Sequence, residues 1–248
     1  MHALASFPTL FAASFGGWEV VLILAILLIL FGARNLPKLM DGLRRGMEEF
    51  IKATREVHDE LNRATGLPPS QTNPQPDVDK AGKEELSLWL AQGFDIGRIP
   101  VAPGTFGSLV GVLWFALLLV PGSLWLYVVG MLLGLAASVK YCGEAERILG
   151  ESDPGSVVLD EIAAIPICFL PWVVLELWRT KSMPPVETFF SAHGLWKTIG
   201  IYVLFRVFDI WKPWPVRQSQ NLSGGWGVTA DDVLAAVYVA IISLFFIA

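Results

Sequence analysis

The chain has 248 residues, 54% of them hydrophobic and 17% charged, with a mean hydropathy of +0.55. That is too apolar for an ordinary soluble domain, and the charges cluster between apolar blocks, as in an all-α polytopic membrane protein. A net charge of −5 argues against a nucleic-acid partner, and two cysteines, Cys142 and Cys168, make no disulfide framework.

The first apolar run is Trp18 to Phe31, with Glu19 as its only charge. Its basic flank follows it, at Arg34 and Lys38, rather than preceding it as in a signal peptide. An uncleaved segment with an outer N-terminus and a cytoplasmic C-terminal flank is predicted. Fourteen helical residues reach about 21 Å, short of the roughly 30 Å hydrocarbon core. Gly32 allows a bend, and Pro37 suits the first turn of a new helix. From there Leu39, Met40, Leu43, Met47, Phe50, Ile51, Val57 and Leu61 recur at helical spacing, with charges on the opposite face. This predicts an amphipathic helix in the membrane interface, in a module spanning 1–63. Residues 64–85 are rich in proline and polar residues in their first part and predict an extended, disordered linker.

A helical membrane domain of about five spans is expected over 86–248. Leu86 to Gly93 suits a short helix touching the membrane. GRIPVAPGTFGS, at 97–108, reads as a tight re-entrant or interfacial loop, with a plain connector as the alternative. Apolar runs at Leu109–Val120, Leu124–Lys140, Val157–Trp178, Leu195–Trp211 and Asp231–Ala248 supply the spans. With an outer N-terminus, fifteen of the 18 basic residues fall on the cytoplasmic side, as positive-inside bias requires. The polar blocks near 97–108, 155–161 and 206–232 then share that face.

Acids beside hydrocarbon are costly unless paired, wet or bound to a cation. Asp160 and Glu161 stand near the start of an apolar helix, where one acid would complement the helix dipole but two exceed that need. Asp209 has Arg206 and Lys212 three residues away on either side, and pairing is the plainer reading. Thr229 and Asp232 have capping-box spacing, which leaves Asp231 the freer ligand. His2 and His193 fall on the outer side and His58 lies on the amphipathic helix, and no aspartyl-phosphate motif is present. By elimination, phosphate chemistry here would use a water activated by Mg²⁺.

Three blocks carry a resemblance: GRIPVAPGTFGS, GSVVLDE at 155–161, and FRVFDIWKPWPV with GGWGVTADDVLAA at 205–236. In this order they resemble the phosphatidylglycerophosphatase A family, from about Leu86 onward. The resemblance implies hydrolysis of phosphatidylglycerol phosphate on the cytoplasmic face of the bacterial inner membrane. It places Asp160, Glu161, Asp209 and Asp231, with Asp232, among the catalytic acids, the first four as Mg²⁺ ligands. It gives Thr105, Ser108, Arg206, Lys212 and Arg217 to the substrate phosphate. Trp211, Trp214 and Trp226 stand around the motif and suit the headgroup layer as anchors. Separately, Glu19, Phe31-Gly32, Leu36-Pro37 and the amphipathic stretch resemble the TatA/TatE subunit of the twin-arginine translocase. That likeness implies translocase subunits or self-association through 1–63 as partners. The alternative function is a translocase subunit carrying a passenger membrane domain.

Overall fold

In the computed structural model, the described residues are 78–247, with Arg45, Glu49, Lys52, Ala53 and Glu56 as isolated helical positions. The expected membrane segment at 18–31, nearly all of the amphipathic helix, and the linker as far as residue 77 lie outside them. The described chain is helical, without a strand among the described residues.

Helix α1 (Val78–Ala91) begins inside the segment expected to be linker, eight residues before the predicted start. It stops where Gly93, Phe94 and Asp95 take left-handed backbone angles. A 3-10 turn (Ile96–Arg98) follows, then α2 (Pro103–Leu119). The expected re-entrant loop is therefore mostly helix. Pro103 takes the first helical position, where its missing N–H is not needed. α3 (Leu124–Leu149) runs 26 residues, about 39 Å, and absorbs most of the polar loop expected after Lys140. Gly150 ends it in the left-handed region. α4 (Leu159–Thr180) continues through Pro166 and Pro171. The short α5 (Glu187–Phe190) leads to α6 (Ala192–Trp211), capped by Ser191, whose hydroxyl accepts from Gly194 N at 3.1 Å. A single turn, α7 (Val216–Ser219), precedes α8 (Gly225–Ile247), which starts six residues earlier than expected.

Among the described residues, three helices, α3, α4 and α8, are long and apolar enough to cross a membrane, and α2 is a shorter apolar helix. The fifth expected span, α6, forms as a helix but carries Lys197, Arg206 and Asp209, which keeps it outside that class. Five spans are thus not all supported by length and composition.

α4 and α8 form the centre. Ala163, Ala164, Ala235 and Ala236 are buried along them and let the two backbones approach. α2 and α3 pack on α4, and α3 and α6 on α8. Away from the polar end, Phe115 stacks on Phe169 at 4.1 Å and meets Phe189 edge-on, and Tyr127 donates to the Pro166 carbonyl at 2.6 Å. This aromatic core fixes how the helices meet. The first turns of α2, α4 and α8 lie together with the last turns of α3 and α6. Exposed tryptophans mark both ends of the bundle. Trp211, Trp214 and Trp226 flank the polar end, and Trp125, Trp178 and Trp196 the other. Such belts suit the two membrane–water interfaces.

Candidate active site

The site is built where these helix ends converge. Asp160 and Glu161 occupy the first turn of α4, and Asp231 and Asp232 the second turn of α8. Thr229 also sits inside α8, with its hydroxyl bonded to Ser138 at 2.8 Å. Because α8 begins at Gly225, the Thr229–Asp232 spacing does not cap it. Gly225 has a steric duty instead. A Cβ there would meet the Val139 carbonyl at 1.8 Å, so α3 and α8 cross at a contact that only glycine permits.

Arg206, near the end of α6, ties three helices together. Its Nη1 lies 3.0 Å from Glu161 Oε2 and 2.7 Å from Asp209 Oδ2, and donates to Ser108 Oγ at 3.0 Å. Ser108 in turn donates to Glu161 Oε2 at 2.8 Å. The Arg206–Asp209 pairing expected from helical spacing is present, and Glu161 and Ser108 join it from α4 and α2. Arg206 Nε is buried without a hydrogen-bond partner among the described residues. Gly104 makes room beside this hub, since a Cβ there would lie 2.2 Å from Glu161 Oε1 and 2.9 Å from Arg206 Nη2. Thr105 holds the same turn through its carbonyl, which accepts from Tyr202 Oη at 2.9 Å.

Lys212 organises a second group. Its Nζ is 2.7 Å from Asp231 Oδ2 and 3.6 Å from Asp153 Oδ2. Gln220 Nε2 donates to the same two oxygens, at 3.0 Å and 2.8 Å respectively. Burial pulls the Lys212 ammonium pKa down. The hydrogen bond and charge of Asp231, with Asp153 and Asp209, outweigh that and hold it above the usual lysine range. Asp153 and Gln220 were not singled out from sequence. One is an acid in a polar loop and the other a neutral amide, so neither stands out by composition.

Asp160 and Asp232 complete the site and differ from the rest. Each is about 95% or more buried, at 5% and 3% exposure. Among the described residues neither has a cation partner. Among the described residues, Asp160 Oδ1 accepts only from its neighbour's backbone, Glu161 N at 3.0 Å. Asp232 lies close enough to Asp160, Asp209, Glu161 and Asp231 to feel their charges. The five predicted acids are therefore gathered, although far apart in sequence. Arg217 is not gathered in: it is exposed and forms no ion pair among the described residues. As they stand, no three acid, His or Cys side chains among the described residues are close enough together to hold a metal ion. The donor chemistry nonetheless fits a hard divalent cation, because the two unpaired groups are buried carboxylates.

Comparison with known proteins places this arrangement. Residues 89–247 match the family model described as Phosphatidylglycerophosphatase A. The chain belongs to the phosphatidylglycerophosphatase A family. Over 168 residues it is 34% identical to the Escherichia coli protein of that name, covering 66% of this chain and 86% of that one. It is also 36% identical to a Bacteroides thetaiotaomicron protein named putative phosphatidylinositol-3-phosphatase, over 62% of this chain and 88% of the relative. Membership makes the C-terminal module a membrane phosphatase. Residues 13–60 match a second model, the mttA/Hcf106 family. The Chlorobium limicola translocase protein TatA is 53% identical over 57 residues, 23% of this chain and 81% of that protein. The chain thus joins a TatA-family module to a phosphatase of the phosphatidylglycerophosphatase A family. No solved structure matches it.

Proposed function

We propose that the phosphatase module hydrolyses phosphatidylglycerol phosphate to phosphatidylglycerol and inorganic phosphate, with Mg²⁺, at the cytoplasmic face of the bacterial inner membrane. The observation that carries this reading is the buried Asp160–Asp232 pair, which has no cation partner among the described residues and lies beside Arg206 and Lys212. Two carboxylates at this depth can both be ionised only when something positive joins them. Asp160 and Asp232 would hold the ion, with Glu161, Asp209 and Asp231 as the surrounding acids. When bound, Mg²⁺ supplies Lewis-acid charge and acidifies a coordinated water.

The chain's own groups bind and orient the lipid phosphate. The buried Nε of Arg206 has a donor to give. An ammonium has three N–H groups, and Lys212 gives one to Asp231 while Asp153, at 3.6 Å, is an ion-pair partner only, which leaves two for phosphate oxygens. The first turns of α2, α4 and α8 add backbone dipoles that favour an anion. Water oxygen bonds to phosphorus as the phosphorus–glycerol oxygen bond breaks. The acyl chains stay in the inner leaflet, and Trp211, Trp214 and Trp226 hold the rim at headgroup depth. The basic excess of the segments at this end supports a cytoplasmic site.

The test uses the purified full chain in detergent. It is offered phosphatidylglycerol phosphate, phosphatidic acid and phosphatidylinositol 3-phosphate, with Mg²⁺ or with chelator. Fastest phosphate release from the first, dependent on Mg²⁺, is expected. Preference for the inositol lipid would replace the substrate, and undiminished release in chelator would remove the ion.

The TatA-family match favours a second role for residues 1–63, association with twin-arginine translocase subunits or with other copies of the chain. Expression of 1–63 in a strain lacking TatA tests it. Restored export would make the module a working translocase subunit, and no restoration would leave self-association or anchoring.

A further inference from the structure

The ring of Lys212, Asp231, Gln220 and Asp153 uses two residues that lie outside every acid-bearing motif. We infer that Asp153 and Gln220 are positioning residues for the phosphatase reaction. They fix Lys212 and Asp231, and through Asp231 the backbone of Asp232. The inference rests on the assignment of Lys212 to the substrate phosphate made above.

The ring closes across three chain segments. Asp153 comes from the loop between α3 and α4, Lys212 and Gln220 from the segment between α6 and α8, and Asp231 from α8 itself. Its contacts are 2.7 and 3.6 Å from Lys212 Nζ, and 2.8 and 3.0 Å from Gln220 Nε2. Two carboxylates share one cation here, so they would repel one another if the cation sat on either alone. The Gln220 amide resolves this, because it donates to both acids without adding charge. Asp231 is then fully engaged. Its Oδ2 takes the Lys212 and Gln220 donors, and its Oδ1 accepts from Asp232 N at 3.1 Å.

The backbone on both sides of the ring is constrained. Asp153 has φ 51° and Lys212 has φ 45°, left-handed conformations that side-chain-bearing residues seldom adopt. Such conformations persist where the surroundings over-determine them. Here Asp153 N donates to Glu146 Oε1 at 3.0 Å, which ties the loop to the last turn of α3. Lys212 N donates to the Phe208 carbonyl at 2.8 Å, which closes α6. The ring therefore spans two tethered points, and its geometry sets the direction of the two remaining ammonium N–H groups.

The experiment uses the full chain in detergent, as wild type, Asp153→Asn, Asp153→Glu, Gln220→Ala, Gln220→Glu and Lys212→Ala, plus Asp153→Asn and each Gln220 variant combined with Lys212→Ala. Thermal midpoints are recorded for each. The first readout is acylation of Lys212 by an amine-reactive ester, followed by mass spectrometry. Freed from the ring, Lys212 should react several-fold faster in Asp153→Asn and in Gln220→Ala, whereas Gln220→Glu sets a third carboxylate beside the ammonium and should slow it. The second is kcat/KM for the lipid phosphomonoester. Each single ring variant should lose about tenfold or more, the scale typical of groups that orient ligating residues. Combination with Lys212→Ala should add little further loss, and Asp153→Glu should recover much of the rate. Unchanged Lys212 labelling in every ring variant overturns the inference. So do losses that multiply in full with Lys212→Ala. A wild-type protein that releases phosphate from no lipid would defeat the proposed function, and the labelling would still decide the ring.

Discussion

Glu161 and Asp160 are neighbours in one turn of α4, yet their electrostatic surroundings differ. Glu161 shares the Arg206 guanidinium with Asp209 and receives the Ser108 hydroxyl. Asp160 and its counterpart Asp232 are buried without any cation among the described residues. A carboxylate already paired holds the fold together. A carboxylate left unpaired at the same depth costs stability and is retained for what it binds. The difference separates acids that build the site from acids that use it.

The largest expected effect breaks the second group. Asp160→Asn or Asp232→Asn should lower phosphate release by at least about 10²–10³-fold, the scale of losing one strong electrostatic contributor. The thermal midpoint in detergent should hold or rise, because a buried carboxyl group with no cation partner among the described residues is replaced by a neutral amide. Retained activity in both variants would sink the division.

Arg206→Met probes the first group. It leaves Glu161 and Asp209 buried without their cation, and breaking such a pair costs about 3–5 kcal/mol. Adding Glu161→Gln and Asp209→Asn to the same chain should restore much of the stability but not the activity. Thermal unfolding of the three proteins reads the first and phosphate release the second. If the triple variant stays as unstable as Arg206→Met, charge is not the cause.

Mg²⁺ should stabilise the wild type, by about 2.7 kcal/mol at a concentration one hundred times its dissociation constant. The stabilisation should vanish in Asp160→Asn and Asp232→Asn. It should survive in part in Asp231→Asn, whose oxygens are already taken by Lys212, Gln220 and the Asp232 backbone. Equal loss in all three would place Asp231 among the ligands on the same footing. Titration of the midpoint with Mg²⁺ and with Ca²⁺ decides it without an activity assay.

These roles were only half legible in the sequence. Charges beside long apolar runs pointed to Asp160, Glu161, Asp209, Asp231 and Asp232, because hydrocarbon makes any acid conspicuous. The pairing of Asp209 with Arg206 was legible from helical spacing, and that of Glu161 was not. The Glu161–Arg206 contact joins α4 to α6 and has no local spacing to announce it. Asp231 looked freer than Asp232 because Thr229 stood at cap distance, and the earlier start of α8 reverses that. Gly225, inside the block GGWGVTADDVLAA, gave no local sign of its packing role, which is to carry the helix past Val139. Asp153 sat in a loop with Glu151 and Ser152 and looked like one more solvated acid. Its left-handed backbone was the distinguishing feature, and composition does not encode it. Helix existence was easier to read than helix limits. α2, α3 and α8 each extend into segments read as loop, because glycine and polar residues were taken as breaks where neighbouring helices support continued helix.

The smallest predicted effect sharpens the comparison from the other side. Arg147 near the end of α3 pairs with Glu84 of α1 at 3.3 Å, much as Arg206 pairs with Glu161 at 3.0 Å. The chemistry is the same and the distances are close. The surroundings are not: the Arg147 side chain is 60% exposed and that of Arg206 is 16%. Water screens the exposed pair and solvates either partner when the other is gone, so such pairs contribute about 0–1 kcal/mol. Ser87 also bonds Glu144, so α1 keeps a second tie to α3. Arg147→Ala should therefore shift the unfolding midpoint slightly and leave phosphate release unchanged. Were it to destabilise the protein as strongly as Arg206→Met, burial would not be what separates the two pairs. The contrast between Asp160 and Glu161 would then need a cause other than the missing cation.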